Sequence, residues 1–258
     1  MIASPWFPYP PAGRTGPALF CLPPAGGGAS GYRLWPAAVH PDVAVHAVQL
    51  PGREVRLGEP PITDAAEVVE RLTGPLLERA GERYAVFGHS MGALLAYELA
   101  HRLTELGRPP ALLVLSAHVP PHLLHLREAL PATGEMTDEY LRDYLARTAG
   151  TPAEMLELPE LMELVLPVLR ADLTLCASYR PRPRRALPVP VAAFGGDADP
   201  VATPGVLARW GVHTAGGFTT RTFPGGHGYP HDDPAAVAGA VSAALLEHTR
   251  TGTARRSG

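Results

Sequence analysis

The chain is expected to fold as a doubly wound α/β sheet, mostly parallel, with a helical insertion over one end. Three observations predict this. Six short apolar runs alternate with helix-like segments, the pattern of successive strand–helix units. Several of those runs are apolar on both faces, as strands buried between two layers of helices must be. One stretch, residues 122–185, breaks the alternation and shows helical spacing alone.

In chain order, the expected strands are "ALFCL" (18–22), "VAVHAVQL" (43–50), "YAVFG" (84–88), "ALLVLS" (111–116), "VPVAAFGG" (189–196) and "FTTRTF" (218–223). Helices are expected at 64–80, 91–106 and 234–248. The first opens on Thr63 and Asp64, good N-terminal residues. Asp232 or Asp233 is expected to cap the last, with Pro234 in its first turn. Within the strandless stretch, "MTDEYLRDYLARTAG" is helical and ends on Gly150. Thr151, Pro152 and Glu154 then read as a capping box. "PELMELVLPVLRADLTLCASY" continues as a helix that Pro167 kinks or breaks, and "YRPRPRRALPVP" is an extended connector. The chain thus divides into a core of residues 1–121 and 186–250, a helical lid insertion of 122–185, and a tail of 251–258 expected to be disordered. Such an insertion lies over the end of the sheet where ligands bind.

With 258 residues, 46% of them hydrophobic, the chain can bury a sizeable core. No run of 18 apolar residues exists, so no membrane partner is expected. The N-terminus lacks the basic start and apolar core of a secretion signal. Cys21 and Cys176 lie far apart, which argues against a disulfide framework and for a cytoplasmic location. A net charge of −3 argues against a nucleic-acid partner. All 22 basic residues are Arg, and the chain has neither Lys nor Asn. A Lys base, a Lys Schiff base, a phosphate-loop Lys and a Cys-His-Asn triad are therefore excluded.

The sharpest chemical signal is Gly88-His89-Ser90-Met91-Gly92, a G-x-S-x-G motif between an expected strand and an expected helix. The turn leaves no room for side chains beside the serine and pushes the Ser90 hydroxyl out at the top of the sheet. The helix N-terminus beneath favours developing negative charge. A serine needs a base, and histidine is the natural one. In this arrangement the acid follows a late strand and the histidine follows the last strand. "FGGDADP" offers both Asp197 and Asp199. Asp199 is preferred because it lies on the loop beyond the strand end, while Asp197 suits a turn former. His227 follows the last strand directly in "FPGGHGYPHDD". His231, four residues on, would share a face with it only on a helix, and Gly228 and Pro230 argue against one. Oxyanion donors are expected from the backbone of Met91 and of Ala25, the latter in "LPPAGGGAS". No metal site is expected: the spacing of His118, His122 and His125 matches no zinc signature.

Along nearly its whole length the chain resembles the type II thioesterases, stand-alone editing hydrolases of polyketide and nonribosomal peptide pathways. The resemblance rests on "ALFCLPPAGGGASGYRLW", "LPGREVR", "FGHSMGALLAYELA", the helical stretch from "MTDEYL" to "ASYRPRP", "FGGDADP" and "FPGGHGYP". It implies an α/β-hydrolase core, a Ser90–Asp199–His227 triad, an oxyanion hole from Ala25 and Met91, and no cofactor. It also implies a partner: an acyl or peptidyl carrier protein whose phosphopantetheine arm carries the thioester. The family commonly has two phenylalanines after the histidine. Here Gly228 and Tyr229 stand there, and both are expected at the substrate pocket, where they bear on acyl preference. Arg180, Arg182, Arg184 and Arg185 could meet an acidic carrier. Competing readings are a general ester hydrolase, a product-releasing thioesterase or acyltransferase of the same pathway type, and an inert carrier-binding protein.

Overall fold

The computed structural model describes residues 4–11, 15–126, 130–148 and 153–254. Its six strands are β1 (Ala18–Leu22), β2 (Ala44–Ala47), β3 (Tyr84–His89), β4 (Leu112–Ser116), β5 (Val191–Gly196) and β6 (Phe218–Phe223). They form one sheet in the order β2-β1-β3-β4-β5-β6, and every pairing is parallel. Strands β1, β3, β4 and β5 are buried at every residue, which is why their sequences are apolar on both faces. Edge strand β6 is exposed along Thr219–Thr222, and its residues there are polar. Strand β2 is shorter than the expected 43–50. Its continuation peels away from β1, and the Gln49 N–H turns to the Trp6 carbonyl at 2.9 Å.

The helices are α1 (Trp35–Ala38), α2 (Ala65–Leu77), α3 (Met91–Glu105), α4 (Asp138–Thr148), α5 (Ala153–Leu156), α6 (Pro159–Ser178), α7 (Pro204–Ala208), α8 (Tyr229–Asp232) and α9 (Pro234–Ala254). Asp64 caps α2 by accepting the Glu67 N–H at 2.8 Å. Asp233 does the same for α9, accepting from Ala236 at 2.9 Å. Helix α6 passes through Pro167 without ending there. Helix α9 reaches Ala254, so residues 251–254, expected in a disordered tail, are helical; residues 255–258 lie outside the described residues. Thr151 and Pro152 of the expected capping box also lie outside them. Among the described residues no helix is long and apolar enough to cross a membrane.

Helices α4 and α6 enclose an apolar cluster of their own, built on Met136, Leu141, Leu145, Met162, Leu166, Leu169 and Leu173. Ala25 packs against both this cluster and the core around the sheet. The loop after β1 therefore lies at the seam between the sheet and the helices above it. From β1 the chain steps to β2 on one side, then returns to β3 on the other. The crevice at that reversal, beyond the strand ends, is the place where such sheets bind ligands.

Candidate active site

Ser90 leaves the end of β3 and caps the start of α3 with φ 54° and ψ −118°. This left-handed conformation is unfavourable for a residue with a Cβ and persists only where the surroundings fix it. The surroundings do so here. The Ser90 N–H donates to the Ser116 carbonyl on β4 at 2.9 Å. A Cβ on Gly88 would stand 2.0 Å from the Gly92 carbonyl oxygen, and one on Gly92 would stand 2.2 Å from that of Leu22. Only glycine fits two residues before and two residues after the serine.

Three loops bring the expected residues together. His227 Nε2 lies 2.9 Å from Ser90 Oγ, and His227 Nδ1 lies 2.8 Å from Asp199 Oδ2. An ionised Asp199 can only accept, so Nδ1 carries the proton and the Nε2 lone pair faces the serine hydroxyl. Asp199 is 2% exposed, and its Oδ1 accepts the backbone N–H groups of Val201 (2.9 Å) and Ala202 (3.0 Å). Burial alone would raise its pKa. The hydrogen bond and charge of His227, with the two backbone donors, outweigh burial and hold the carboxyl below its ordinary value. Asp197 serves as a brace between loops: its Oδ1 accepts the Gly225 N–H at 3.0 Å, tying the acid loop to the histidine loop.

The Met91 N–H stands in the first turn of α3, where no carbonyl of the helix can reach it. Ala25 borders Ser90 and His227 in a narrow cleft of about 30 Å³, with Tyr144, Gly228 and His231 among its other walls. To one side opens a cavity of about 440 Å³, lined by Ser90, Asp199, His227, Ala117–Val119 and, from the helical region, Leu130, Tyr140 and Tyr144. A further space of about 230 Å³ lies between the glycine loop (Gly26–Gly28) and Leu145, Met155, Met162 and Val165. Ser90 lines the narrow cleft and the larger cavity, and the cleft shares Pro24, Ala25 and His231 with this third space.

Two expectations for the histidine loop need correction. Tyr229 is not a pocket wall. It is 1% exposed, stacks on Phe223 (centroids 5.2 Å apart, planes at 13°), and places its hydroxyl 2.6 Å from Ser116 Oγ. Only Gly228 of that pair lines the cleft. A short helix also does form here: Gly228 is the N-cap of α8 and Pro230 sits in its first turn, where proline gives up no hydrogen bond. His227 precedes this helix, so the two histidines still share no helical face. His231 lies against the site rather than away from it, with its ring edge-on to that of His89 at 6.4 Å.

Sequence reasoning missed the residues that hold the glycine loop. Arg53 and Asp172 form a buried two-pronged ion pair, Nη1–Oδ2 2.6 Å and Nη2–Oδ1 2.8 Å, with side chains 6% and 1% exposed. Asp172 also accepts the Gly26 N–H at 2.8 Å, and Arg53 donates to the Gly27 carbonyl at 3.1 Å. Gln49 accepts from the Ala29 N–H, and Glu54 from the Ser30 hydroxyl at 2.6 Å. One signal was available: Asp172 is a lone acid among apolar residues of a helix ("VLRADLTL"), and buried acids have partners.

The family model described as a thioesterase domain matches residues 17–245. The chain belongs to the thioesterase family. This thioesterase is 36% identical over 242 residues to thioesterase PikA5 of Streptomyces venezuelae, covering 92% of this chain and 84% of that protein. It matches the structure of the type II thioesterase BorB from the borrelidin biosynthetic cluster with a TM-score of 0.85 and 37% identity, over 95% of this chain and 99% of that one. It matches the RedJ thioesterase of the prodiginine biosynthetic pathway in Streptomyces coelicolor with a TM-score of 0.80 and 36% identity, over 94% and 98% of the two chains. The thioesterase is accordingly a hydrolase of thioesters on an α/β-hydrolase fold.

Proposed function

We propose that this thioesterase removes acyl groups from the phosphopantetheine arms of acyl or peptidyl carrier proteins, as an editing enzyme of polyketide or nonribosomal peptide synthesis. The observation that carries the reading is the Ser90–His227–Asp199 hydrogen-bonded chain on a strained strand-to-helix turn, with the serine lining both a larger cavity and a narrow cleft. An acyl thioester has two arms, an acyl chain and a pantetheine, and a cavity and a cleft that both include Ser90 suit it. The names of BorB and RedJ, which tie them to biosynthetic clusters, support the pathway class. Cys21 is a buried thiol, in keeping with action in a reducing cytoplasm.

In this mechanism His227 Nε2 takes the Ser90 proton as Oγ attacks the thioester carbonyl carbon. The oxyanion that forms is held by the N–H groups of Ala25 and Met91. Asp199 keeps the imidazole in the required tautomer and stabilises its charged form. The C–S bond then breaks, and His227 returns the proton to the departing thiol. Water attacks the acyl-serine with His227 again as base, releasing the free acid and restoring Ser90. The helical segment 122–185 acts as a lid, and its Leu130, Tyr140 and Tyr144 line the larger cavity.

The test is hydrolysis of acyl groups from a phosphopantetheinylated carrier protein, followed by mass spectrometry, against the same acyl groups on simple oxygen esters. Carrier thioesters should be the better substrates. Ser90→Ala and His227→Ala should each lower kcat by about 10⁴-fold or more. Preference for free esters by orders of magnitude, or an active Ser90→Ala variant, would overturn the reading.

A further inference from the structure

We infer that Arg53 and Asp172 are positioning residues for the oxyanion hole, and that seating of helix α6 and assembly of that hole are one event. The inference rests on Ala25 acting as an oxyanion donor, as proposed above. Ala25 is one residue from Gly26, whose N–H is held by Asp172 Oδ2 at 2.8 Å. That same oxygen receives Arg53 Nη1 at 2.6 Å, and the same nitrogen donates to the Gly27 carbonyl at 3.1 Å. The Ala25–Gly26 and Gly27–Gly28 peptide groups are therefore both held by one ion pair.

The loop makes a tight turn here, its Gly27 N–H donating to the Pro24 carbonyl at 3.0 Å, and Asp172 holds the peptide that this bond leaves free to flip, the central Ala25–Gly26 one. Gly26 adopts φ 75°, as the third residue of such a turn does, and glycine can also leave that conformation without steric penalty when its central peptide flips. A Cβ there would stand 3.4 Å from Leu169 Cδ1, so the backbone lies directly under α6. Asp172 belongs to α6, whereas Arg53 belongs to the loop beyond β2 and is held from the sheet side. Its Nε donates to the Pro51 carbonyl, and its own carbonyl accepts from Gln49 Nε2 at 3.1 Å. The carboxylate thus reaches down from the helical segment, and the guanidinium reaches up from the core. The loop backbone is clamped where they meet. Lifting α6 takes the acceptor away from Gly26 and separates the two charges of the ion pair. An open lid is then also an enzyme with a slack oxyanion hole, and a thioester that has not drawn the lid down meets a poor catalyst.

Removing one charge strands the other in the interior, so the test uses double variants. Arg53→Met/Asp172→Leu removes the pair and the Gly26 acceptor. Arg53→Met/Asp172→Asn removes the pair but leaves an amide oxygen that accepts the Gly26 N–H. The first should lose about 10²-fold in kcat, the loss of one oxyanion donor, with KM little changed. The second should recover most of that loss. Affinity for an acyl trifluoromethyl ketone, whose adduct with Ser90 carries an oxyanion, should fall in step with kcat. Affinity for an unreactive acyl amide should not. If the Leu variant does not fold, Asp172→Glu, which keeps the charge but moves the carboxylate by one methylene, should give the same split between ketone and amide. Equal loss in the Leu and Asn variants, or full kcat in a folded Leu variant, would overturn the inference. A dead Ser90→Ala enzyme alongside either outcome leaves the proposed function standing, whereas an active one removes both.

Discussion

Tyr229 shows how one hydroxyl changes a residue's task. Its oxygen ends a buried chain that runs through Ser116 Oγ to His89 Nδ1, 2.8 Å further on. Phenylalanine could fill the same space against Phe223 but could not make that bond. Tyr229→Phe should therefore cost about 1–3 kcal/mol of stability by leaving a buried polar group short of a partner. Its rate of thioester hydrolysis should stay near that of the parent chain. Urea denaturation and a carrier-thioester assay on the same preparation check both halves. This residue was misread in the sequence for a physical reason. Its place after His227 suggested a pocket wall, but direction depends on α8, and Pro230 concealed that turn. Ser90, Asp199 and His227 were legible because each follows a strand end in a fixed order. The Arg53–Asp172 pair was not, because nothing local links positions that lie 119 residues apart.

At the scale of elements, burial governed what could be read. Strands β1, β3, β4 and β5 are wholly buried, and their unbroken apolar runs gave them away. The apolar run 43–50 overstates strand β2 because Leu50 remains buried after the pairing ends, and hydrophobicity records burial rather than hydrogen bonding. Helix ends were legible where a side chain makes the cap. Asp233 is such a case: it holds the Ala236 N–H at the start of α9. Asp233→Ala should lower stability by about 1 kcal/mol, measured by chemical denaturation, without affecting hydrolysis. Helix α6 escaped interruption at Pro167 because it is anchored along one face by its own apolar cluster, which includes Met162, Leu166, Leu169 and Leu173.

Across the whole molecule, several histidines are folded into places that disfavour their charged form. Burial, then Arg79, lowers His46 to about 4; burial, then Arg184 and His213, does the same to His101; burial, then His122, lowers His213 to about 4. In the unfolded chain each takes up its proton near pH 6.5. Between pH 6.5 and 4 the unfolded state therefore binds more protons than the folded one, and stability falls as pH falls. Thermal melts across this window should show a declining Tm that steepens below pH 6. Replacing His101 with Gln should flatten the decline. An unchanged Tm from pH 7 to 4 would contradict the buried, neutral state of these rings.

The Arg53–Asp172 clamp has a further consequence, one of inheritance. The helical region looks like a removable module, a stretch of chain inserted between two halves of a sheet. Asp172 makes it a dependent one. A gene exchange that brings in a new helical segment without an acid at this position strands Arg53; one that brings the acid into a core without the arginine strands the carboxylate. Either hybrid begins life with a buried, unmatched charge beside its glycine loop. New acyl specificities are therefore more readily reached by changing the walls of the existing segment, such as Tyr140 and Leu130, than by trading the segment whole.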